Sequence, residues 1–431
     1  MTARRKPTRR HFLAAAAAAV AAPYFVPARA FGANDRVNIG YIGCGRRADG
    51  LRGVPGDAHV IALADVNKQR LQDWAKGKLG RDYGITDDKL FQDYREMLGL
   101  EDLDAVIISS PDHWHALHSI HAMEAGKDVY VEKPMTLTIR EGRLMVDAAR
   151  AHGRICQVGS QQRTMQENRV ACALVRAGRI GKVHTVHTEN YPSPWECTLP
   201  EEEAPEYINW DMWCGPTQYR GYHEKLYTPR GGQQGQEWGW ISFRPYSGGE
   251  MTGWGAHGLD QIQWALGMDA SGPVAVWPLL DQEPAFDGVH QGPRYPVHMR
   301  YANGTVVKLD NQGAPGGGWF EGDEGELKID RGRYVIKPDT LDDALPELEP
   351  LSFVGDTNEH IANWIQCIRT RQTPNADVEI GHRTTTVCHL GNIARWLKRE
   401  ITWDPVTETF PGDDEANSYL DRERRAPWTL G

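Results

Sequence analysis

The chain has 431 residues, enough for two domains that each bury their own core. A composition of 40% hydrophobic and 25% charged residues is that of a folded globular protein and excludes a disordered or fibrous chain. The net charge of −10 gives the wrong field for nucleic acid or an anionic membrane surface, while leaving neutral small molecules open as ligands.

Residues 1–30 read as an export leader. Arg4, Arg5, Lys6, Arg9 and Arg10 make a basic start, Phe12 to Ala22 is an uncharged apolar run, and Ala28-Arg29-Ala30 is a small-x-small cleavage site. The apolar run is about half of the ~20 residues that a bilayer span needs, so no membrane anchor is expected. Arg9-Arg10-His11-Phe12-Leu13 resembles the twin-arginine signal that exports folded proteins, which predicts a periplasmic or otherwise exported location. The seven cysteines are odd in number, widely spaced and without a C-x-x-C pair; folding in the reducing cytosol before export predicts free thiols.

From Arg36 short apolar strands alternate with helical stretches. Strands are expected over 37–42, 60–64, 105–109, 129–131 and 155–158, and helices over 68–79, 116–125 and 141–152, with Gly126 and Gly153 placed to end the last two. That alternation predicts a parallel sheet covered on both faces, a doubly wound Rossmann domain over 31–158. The rhythm then changes. A helix over 169–177 and a strand over 182–187 lead to a stretch rich in Trp, Gly and Pro. Several strands follow within 273–337, including 295–301 and 305–309 joined by the Asn303-Gly304 hairpin signal. Helices over 360–371 and 384–398 complete a second domain assigned to 159–403, and 404–431 reads as an extended arm.

Gly43-Cys44-Gly45-Arg46-Arg47-Ala48 fits G-x-G-x-x-G/A directly after the first strand. Gly43 permits the tight turn, Gly45 lets the backbone approach a pyrophosphate, and Ala48 keeps helix and sheet close. Asp65, 22 residues past Gly43 at the end of the second strand, is placed to accept both ribose hydroxyls and to repel a 2′-phosphate. The loop and the carboxylate together predict NAD.

Ser110-Pro111-Asp112-His113-Trp114-His115 follows the fourth strand and Glu132-Lys133-Pro134 the fifth. With the glycine loop, these motifs resemble the glucose–fructose oxidoreductase, inositol dehydrogenase and rhizopine-catabolism (Gfo/Idh/MocA) family across nearly the whole chain beyond the leader. The resemblance implies a Rossmann domain followed by an α/β domain whose open, mostly antiparallel sheet forms homo-oligomer contacts. It places Arg46, Arg47, Ser110, Pro111, His115, Glu132, Lys133 and Gln161 beside the cofactor. Lys133, at a strand's carboxyl end, suits a base for a sugar hydroxyl if burial lowers its pKa. In the family a later motif presents an Asp and, four residues on, a His to the substrate; here the pair reads Gly253 and His257. Asp260, three residues beyond His257, falls on the same helical face and is a candidate to orient the imidazole or bind hydroxyls. His113, His115, His118 and His121 lack a carboxylate or cysteine to complete a ligand set, and no metal is expected.

Of the 15 tryptophans, eight fall between Trp195 and Trp277. Indole faces pack against the C–H faces of pyranose rings, so Trp238, Trp240 and Trp254 are candidates to line a saccharide pocket, with Arg163 and Tyr191; Trp264 and Trp277, among apolar neighbours, suit the core. Three functions follow as expectations: an NAD(H)-dependent oxidoreductase of a sugar, glycoside or polyol with a tightly held cofactor, a glycoside-cleaving enzyme that oxidises C3 transiently, and a sugar-binding protein. Retention of Lys133 and His257 argues against the third.

Overall fold

The computed structural model describes residues 36–228, 239–284, 290–342, 348 and 350–430. The expected leader and Trp238 lie outside them. The first apolar run forms β1 (Val37–Ile42), and the strands that follow are β2 (Ala58–Ala64), β3 (Leu90–Phe91), β4 (Ala105–Ile108), β5 (Asp128–Val131) and β6 (Cys156–Val158). All pair in parallel in the order β3-β2-β1-β4-β5-β6. The order reverses between β1 and β4, and a parallel sheet opens a crevice for ligands beyond its carboxyl ends at that point.

Helices α1 (Arg46–Asp49), α2 (Lys68–Lys76), α3 (Asp112–Glu124) and α4 (Ile139–Ala151) connect the strands. Local chemistry sets their ends. The Asn67 side chain caps α2 by accepting from Arg70 N–H, and Thr138 caps α4 by accepting from Glu141 N–H. Gly126 and Gly153, just past α3 and α4, have φ of +79° and +59°, the left-handed conformation that ends a helix and favours glycine. Almost every residue of α3 is buried, which leaves it little amphipathic periodicity to read.

The second sheet contains β7 (Val183–Thr188), β8 (Pro273–Pro278), β9 (Val297–Tyr301), β10 (Val306–Leu309), β11 (Gly318–Gly322), β12 (Glu326–Asp330), β13 (Arg333–Lys337) and β14 (Ile401–Thr402). Its order is β13-β12-β11-β7-β10-β9-β8-β14, antiparallel except between β7 and β10. Asn303-Gly304 makes the β9–β10 hairpin, with Gly304 at φ +91°. Alternate residues of β9 and β12 are buried, as in a sheet covered on one face. Helices α5 (Gln166–Arg176), α6 (Gly255–Ala265) and α8 (Val378–Leu397) contribute Leu174, Ile262 and Leu390 to the core beneath it.

Two segments depart from the sequence expectation. Helix α7 (Thr357–Thr370), placed by chain order in the second domain, packs Ile361, Trp364, Ile365 and Ile368 among Val37, Ile39 and Tyr130 of the first. A doubly wound sheet needs helices on both faces, and an apolar helix face carries no address for one sheet over another. The stretch from Asp404 onward is not an extended arm. Arg422 reaches buried Glu141 at 2.9 Å, and the Trp428 ring meets Trp114 edge-on at 4.8 Å. All seven cysteines are free. Among the described residues no helix is long and apolar enough to cross a membrane.

Candidate active site

A cavity of about 400 Å³ opens beyond the carboxyl ends of β1, β4 and β5. Its floor is the glycine loop. Gly43 N–H donates to Ala64 O at 2.8 Å and its φ is +87°. A Cβ on Gly43 would stand 2.7 Å from Ser110 N, so no side chain fits. A Cβ on Gly45 would meet nothing closer than Arg70 Nη1 at 3.8 Å, which leaves its backbone open to a ligand. Helix α1 is a single turn, so the phosphate-binding potential rests on the loop's N–H groups more than on a helix dipole.

Asp65 is buried at the end of β2. Its Oδ2 accepts Cys44 N–H at 2.7 Å and its Oδ1 accepts Asn67 N–H at 2.8 Å, which fixes the carboxylate with lone pairs to spare for ribose hydroxyls. Arg70 approaches Asp65 Oδ2 at 3.4 Å and lies over the Tyr227 ring at 5.3 Å. Arg47, expected beside the cofactor, pairs with Glu132 at 2.6 Å, while Arg46 is exposed. His115 sits between Ser110 O (2.8 Å) and Pro134 O (2.7 Å) and ties the loops after β4 and β5 together. The Gln161 amide, turned to donate to Gly159 O at 2.7 Å, accepts from Arg331 at 2.6 Å. Gly43, Gly45, Arg46, Arg47, Asp65, Ser110, Pro111, His115, Glu132, Lys133 and Gln161 all line the one cavity. These groups fit a dinucleotide: an open loop of N–H groups for the phosphates and a fixed carboxylate for a ribose.

Beyond the loop the cavity gains chemical groups. Lys133 Nζ donates to Gly253 O of the second domain at 3.1 Å. Burial lowers the Lys133 ammonium's pKa against the opposing pull of Glu132, Glu250 and Asp112. Burial, and then the Lys133 charge, hold His257 well below the usual imidazole range, so it stands neutral. Asp112 accepts from Ser247 Oγ at 2.7 Å, and desolvation pushes its carboxyl up to about 6. Trp254 is 37% exposed, with its ring 5.7 Å from that of His257, and Trp240 joins the same wall.

Three residues expected on the substrate stand elsewhere. Arg163 and Asp260 form an ion pair at 2.9 Å with both side chains 2% exposed, away from the cavity lining. Tyr191 is wedged against Gly258, donates to Pro315 O at 2.8 Å and is buried in the second core. Helix α6 is buried almost all round, so sharing a sector with His257 does not bring Asp260 to the same cavity. The histidines of α3 also separate: His113 meets Trp213 O, His118 meets Ser110 Oγ and His121 meets Tyr94 OH.

Sequence reasoning passed over Asp112, Arg70, Trp213, Tyr227 and Arg331, which also line the cavity. Asp112 had a signal, as the first residue of the helix after β4. Trp213 and Tyr227 arrive on the loop between β7 and β8, where local sequence gives no address.

The fold and its cradle define a dinucleotide-binding protein of the two-domain kind. Residues 37–160 match the profile of the oxidoreductase family's NAD-binding Rossmann fold, and residues 182–430 match that of its C-terminal alpha/beta domain. The chain belongs to the Gfo/Idh/MocA oxidoreductase family, and its first domain is an NAD-binding one. A glycosyl hydrolase family 109 protein of Shewanella pealeana is 31% identical over 160 residues, 35% of this chain and 34% of that protein. An alpha-N-acetylgalactosaminidase of Shewanella oneidensis is 31% identical over 154 residues, 34% of this chain and 33% of that protein. The chain thus covers about a third of the length of these curated relatives. Among solved structures, the aldose-aldose oxidoreductase of Caulobacter crescentus, complexed with glycerol, superposes with a TM-score of 0.59 at 18% identity, covering 85% of this chain and 99% of that one. Levoglucosan dehydrogenase with NADH and levoglucosan gives 0.56 at 17%, covering 85% and 99%.

Proposed function

We propose that the chain is an NAD(H)-dependent oxidoreductase acting on a CH–OH group of a sugar, glycoside or polyol, and that it holds its cofactor through turnover. The observation that carries the reading is Lys133: a buried amine with lowered pKa, beside neutral His257, in the cavity that continues the nucleotide cradle. Bound NAD supplies the acceptor for a hydride from the hydroxyl-bearing carbon. Lys133 Nζ, as free base, takes the hydroxyl proton, and His257 accepts from a neighbouring hydroxyl. The carboxylates of Glu132 and Asp112 stabilise the resulting ammonium, and Trp254 and Trp240 offer indole faces to the ring.

Retention of the cofactor is supported by the loop that leads to Trp213 and Tyr227. Tyr207 O accepts Lys68 N–H, Asn209 N–H donates to Val66 O, and Tyr227 OH accepts from the Asn67 side chain, each at 2.9 Å. These bonds tie the second domain's loop beside Asp65. The export that the leader predicts points the same way, since an exported enzyme releasing NADH at each turnover would have no supply of NAD. The second reading, redox-neutral glycoside cleavage, is favoured by the identity to the Shewanella hydrolases over about a third of their length.

The test is to purify the protein, record its ultraviolet spectrum for bound nucleotide, and incubate it with free sugars and with nitrophenyl glycosides. A change in NADH absorbance with free sugar supports the first reading. Aglycone release without added NAD overturns net oxidation in favour of the second. Neither turnover nor bound nucleotide overturns both.

A further inference from the structure

The β12–β13 hairpin sends an arginine to the cavity. Arg331-Gly332 is its two-residue turn, and Gly332 takes the left-handed φ of +68° that such turns favour in glycine. Buried Asn168 of α5 fixes the turn: its side chain donates to Asp330 O at 3.2 Å and accepts Gly332 N–H at 2.8 Å. Arg331 N–H adds a bond to Asp330 Oδ1 at 2.8 Å. From this anchored position the guanidinium crosses to the turn after β6, where Nη2 donates to the buried Gln161 amide at 2.6 Å and to Asp356 Oδ1 at 3.3 Å. Asp356 is 56% exposed, so that pair is weak. Among the described residues Arg331 Nη1 has no partner, and the side chain, 34% exposed, lines the cavity with Lys133, His257 and Trp254.

The strand order decides which part of the cavity Arg331 serves. The phosphate-binding loop follows β1, and Asp65 follows β2 on one side of it. Gln161 follows β6, three strand spacings from β1 on the other side, ~14 Å at ~4.8 Å per strand. A dinucleotide with one ribose on Asp65 and its phosphates on the glycine loop therefore runs its nicotinamide half toward β4 and β5, where Lys133 stands. Arg331 lies one strand further on, beyond the phosphates and beside the space left for the sugar. A guanidinium is permanently charged and offers only donors, and its strongest partner is an anion. From this placement we infer that Arg331 is a specificity-determining residue that selects a sugar carrying an anionic group, a uronate carboxylate or an ester phosphate, with the group displacing exposed Asp356. The inference deepens the proposed oxidation and rests on that reading of the cavity.

The test measures sugar binding to the NADH-loaded protein by quenching of tryptophan fluorescence, which needs no turnover. The probes are glucuronate, galacturonate and glucose 6-phosphate, each beside its neutral parent hexose, with the methyl esters of the two uronates as neutral controls of the same shape. At least one acid is expected to bind about tenfold or more tightly than its parent, the size of one charge-assisted hydrogen bond, and Arg331→Gln to bring the two within about threefold. Co-purified nucleotide and the affinity for the parent hexose should not change in the variant. Preference for a uronate names a carboxylate as the anion, and preference for the 6-phosphate an ester. No preference for any acid in wild type, or the same preference in Arg331→Gln, overturns the inference. Loss of nucleotide from Arg331→Gln also overturns it, because the guanidinium then serves the cofactor. If the variant yields no soluble protein, wild type decides: uronates bound no better than their methyl esters, with the 6-phosphate bound no better than glucose, overturn the inference. Turnover is read separately with NAD by NADH absorbance. Acid binding that depends on Arg331 without any such signal condemns the oxidation and leaves the role of Arg331 standing; NADH formed from neutral sugars, with no acid preferred, does the reverse.

Discussion

Replacing Arg163 by methionine removes a guanidinium that is closed off from water. Its Nε lies 2.9 Å from both oxygens of Asp260, its Nη2 lies 2.7 Å from Asp269, and Trp264 covers its face at 5.0 Å. The two halves of this arrangement differ in weight. Asp269 is 32% exposed, and an exposed pair contributes about 0–1 kcal/mol. Asp260 is 2% exposed and keeps only the Thr384 hydroxyl, at 2.9 Å, and the Gln261 amide as donors once the arginine is gone. Breaking a buried pair by removing one partner costs about 3–5 kcal/mol, a large share of the ~5–15 kcal/mol by which a domain is stable. Urea unfolding followed by tryptophan fluorescence at 25 °C is therefore expected to show a loss of about 3–5 kcal/mol in Arg163→Met. Arg163→Met/Asp260→Leu should regain part of it, because the orphaned charge goes too. The KM for substrate, referred to the folded fraction, should stay within about twofold. Unchanged stability with a KM raised tenfold would put the guanidinium on the substrate and refute the argument.

Lys133→Met is expected to lower kcat by about 10²–10⁴-fold while co-purified nucleotide, measured at 260 nm, stays at the wild-type level; a loss under threefold removes Lys133 from proton transfer. Asp65→Asn should weaken NAD binding by roughly tenfold, about 1.4 kcal/mol, and narrow the preference over NADP, since Arg70 then faces the ribose without an opposing carboxylate. Calorimetric titration of nucleotide-free protein with both cofactors measures this, and an unchanged ratio rejects the role of Asp65. Asp112, raised by desolvation to about 6, is ionised above that pH and protonated below it, so kcat/KM should fall as pH drops through about 6. The limb should vanish in Asp112→Asn, and a limb that persists there belongs to another group.

Elements that close locally were legible in the sequence. Strands β1 and β4 are short runs of apolar residues, the glycine loop follows β1 without a gap, and Asn303-Gly304 joins the two strands it predicted. Asp65 was legible because a carboxylate at the end of β2 has a fixed relation to the loop after β1, and the Asp65–Cys44 hydrogen bond shows that contact. What failed was neighbourhood across the chain. Helix α7 reads as amphipathic in either domain, and the tail carries no mark that Arg422 will meet Glu141, 281 positions earlier. Asp260 was assigned by helical phase, which fixes a direction on α6 but not the group waiting there; Arg163 was waiting there, and Tyr191 fills the gap left by Gly258.

The same limit explains why the cavity divides as it does. Groups for the nucleotide come almost entirely from turns after β1, β2, β4 and β5, where the parallel sheet brings successive strand ends side by side. The remaining groups of the cavity are split. Lys133 and Asp112 belong to those turns, but His257, Trp254 and Gly253 O arrive from a helix and a turn more than a hundred residues later. A departure at one of them, such as Gly253, can be understood only once its spatial neighbour is known. The lysine is therefore a junction: its backbone is fixed by the Rossmann sheet and its amine meets Gly253 O of the second domain, so changes in second-domain loops can alter the amine's surroundings while the glycine loop and Asp65 stay the same.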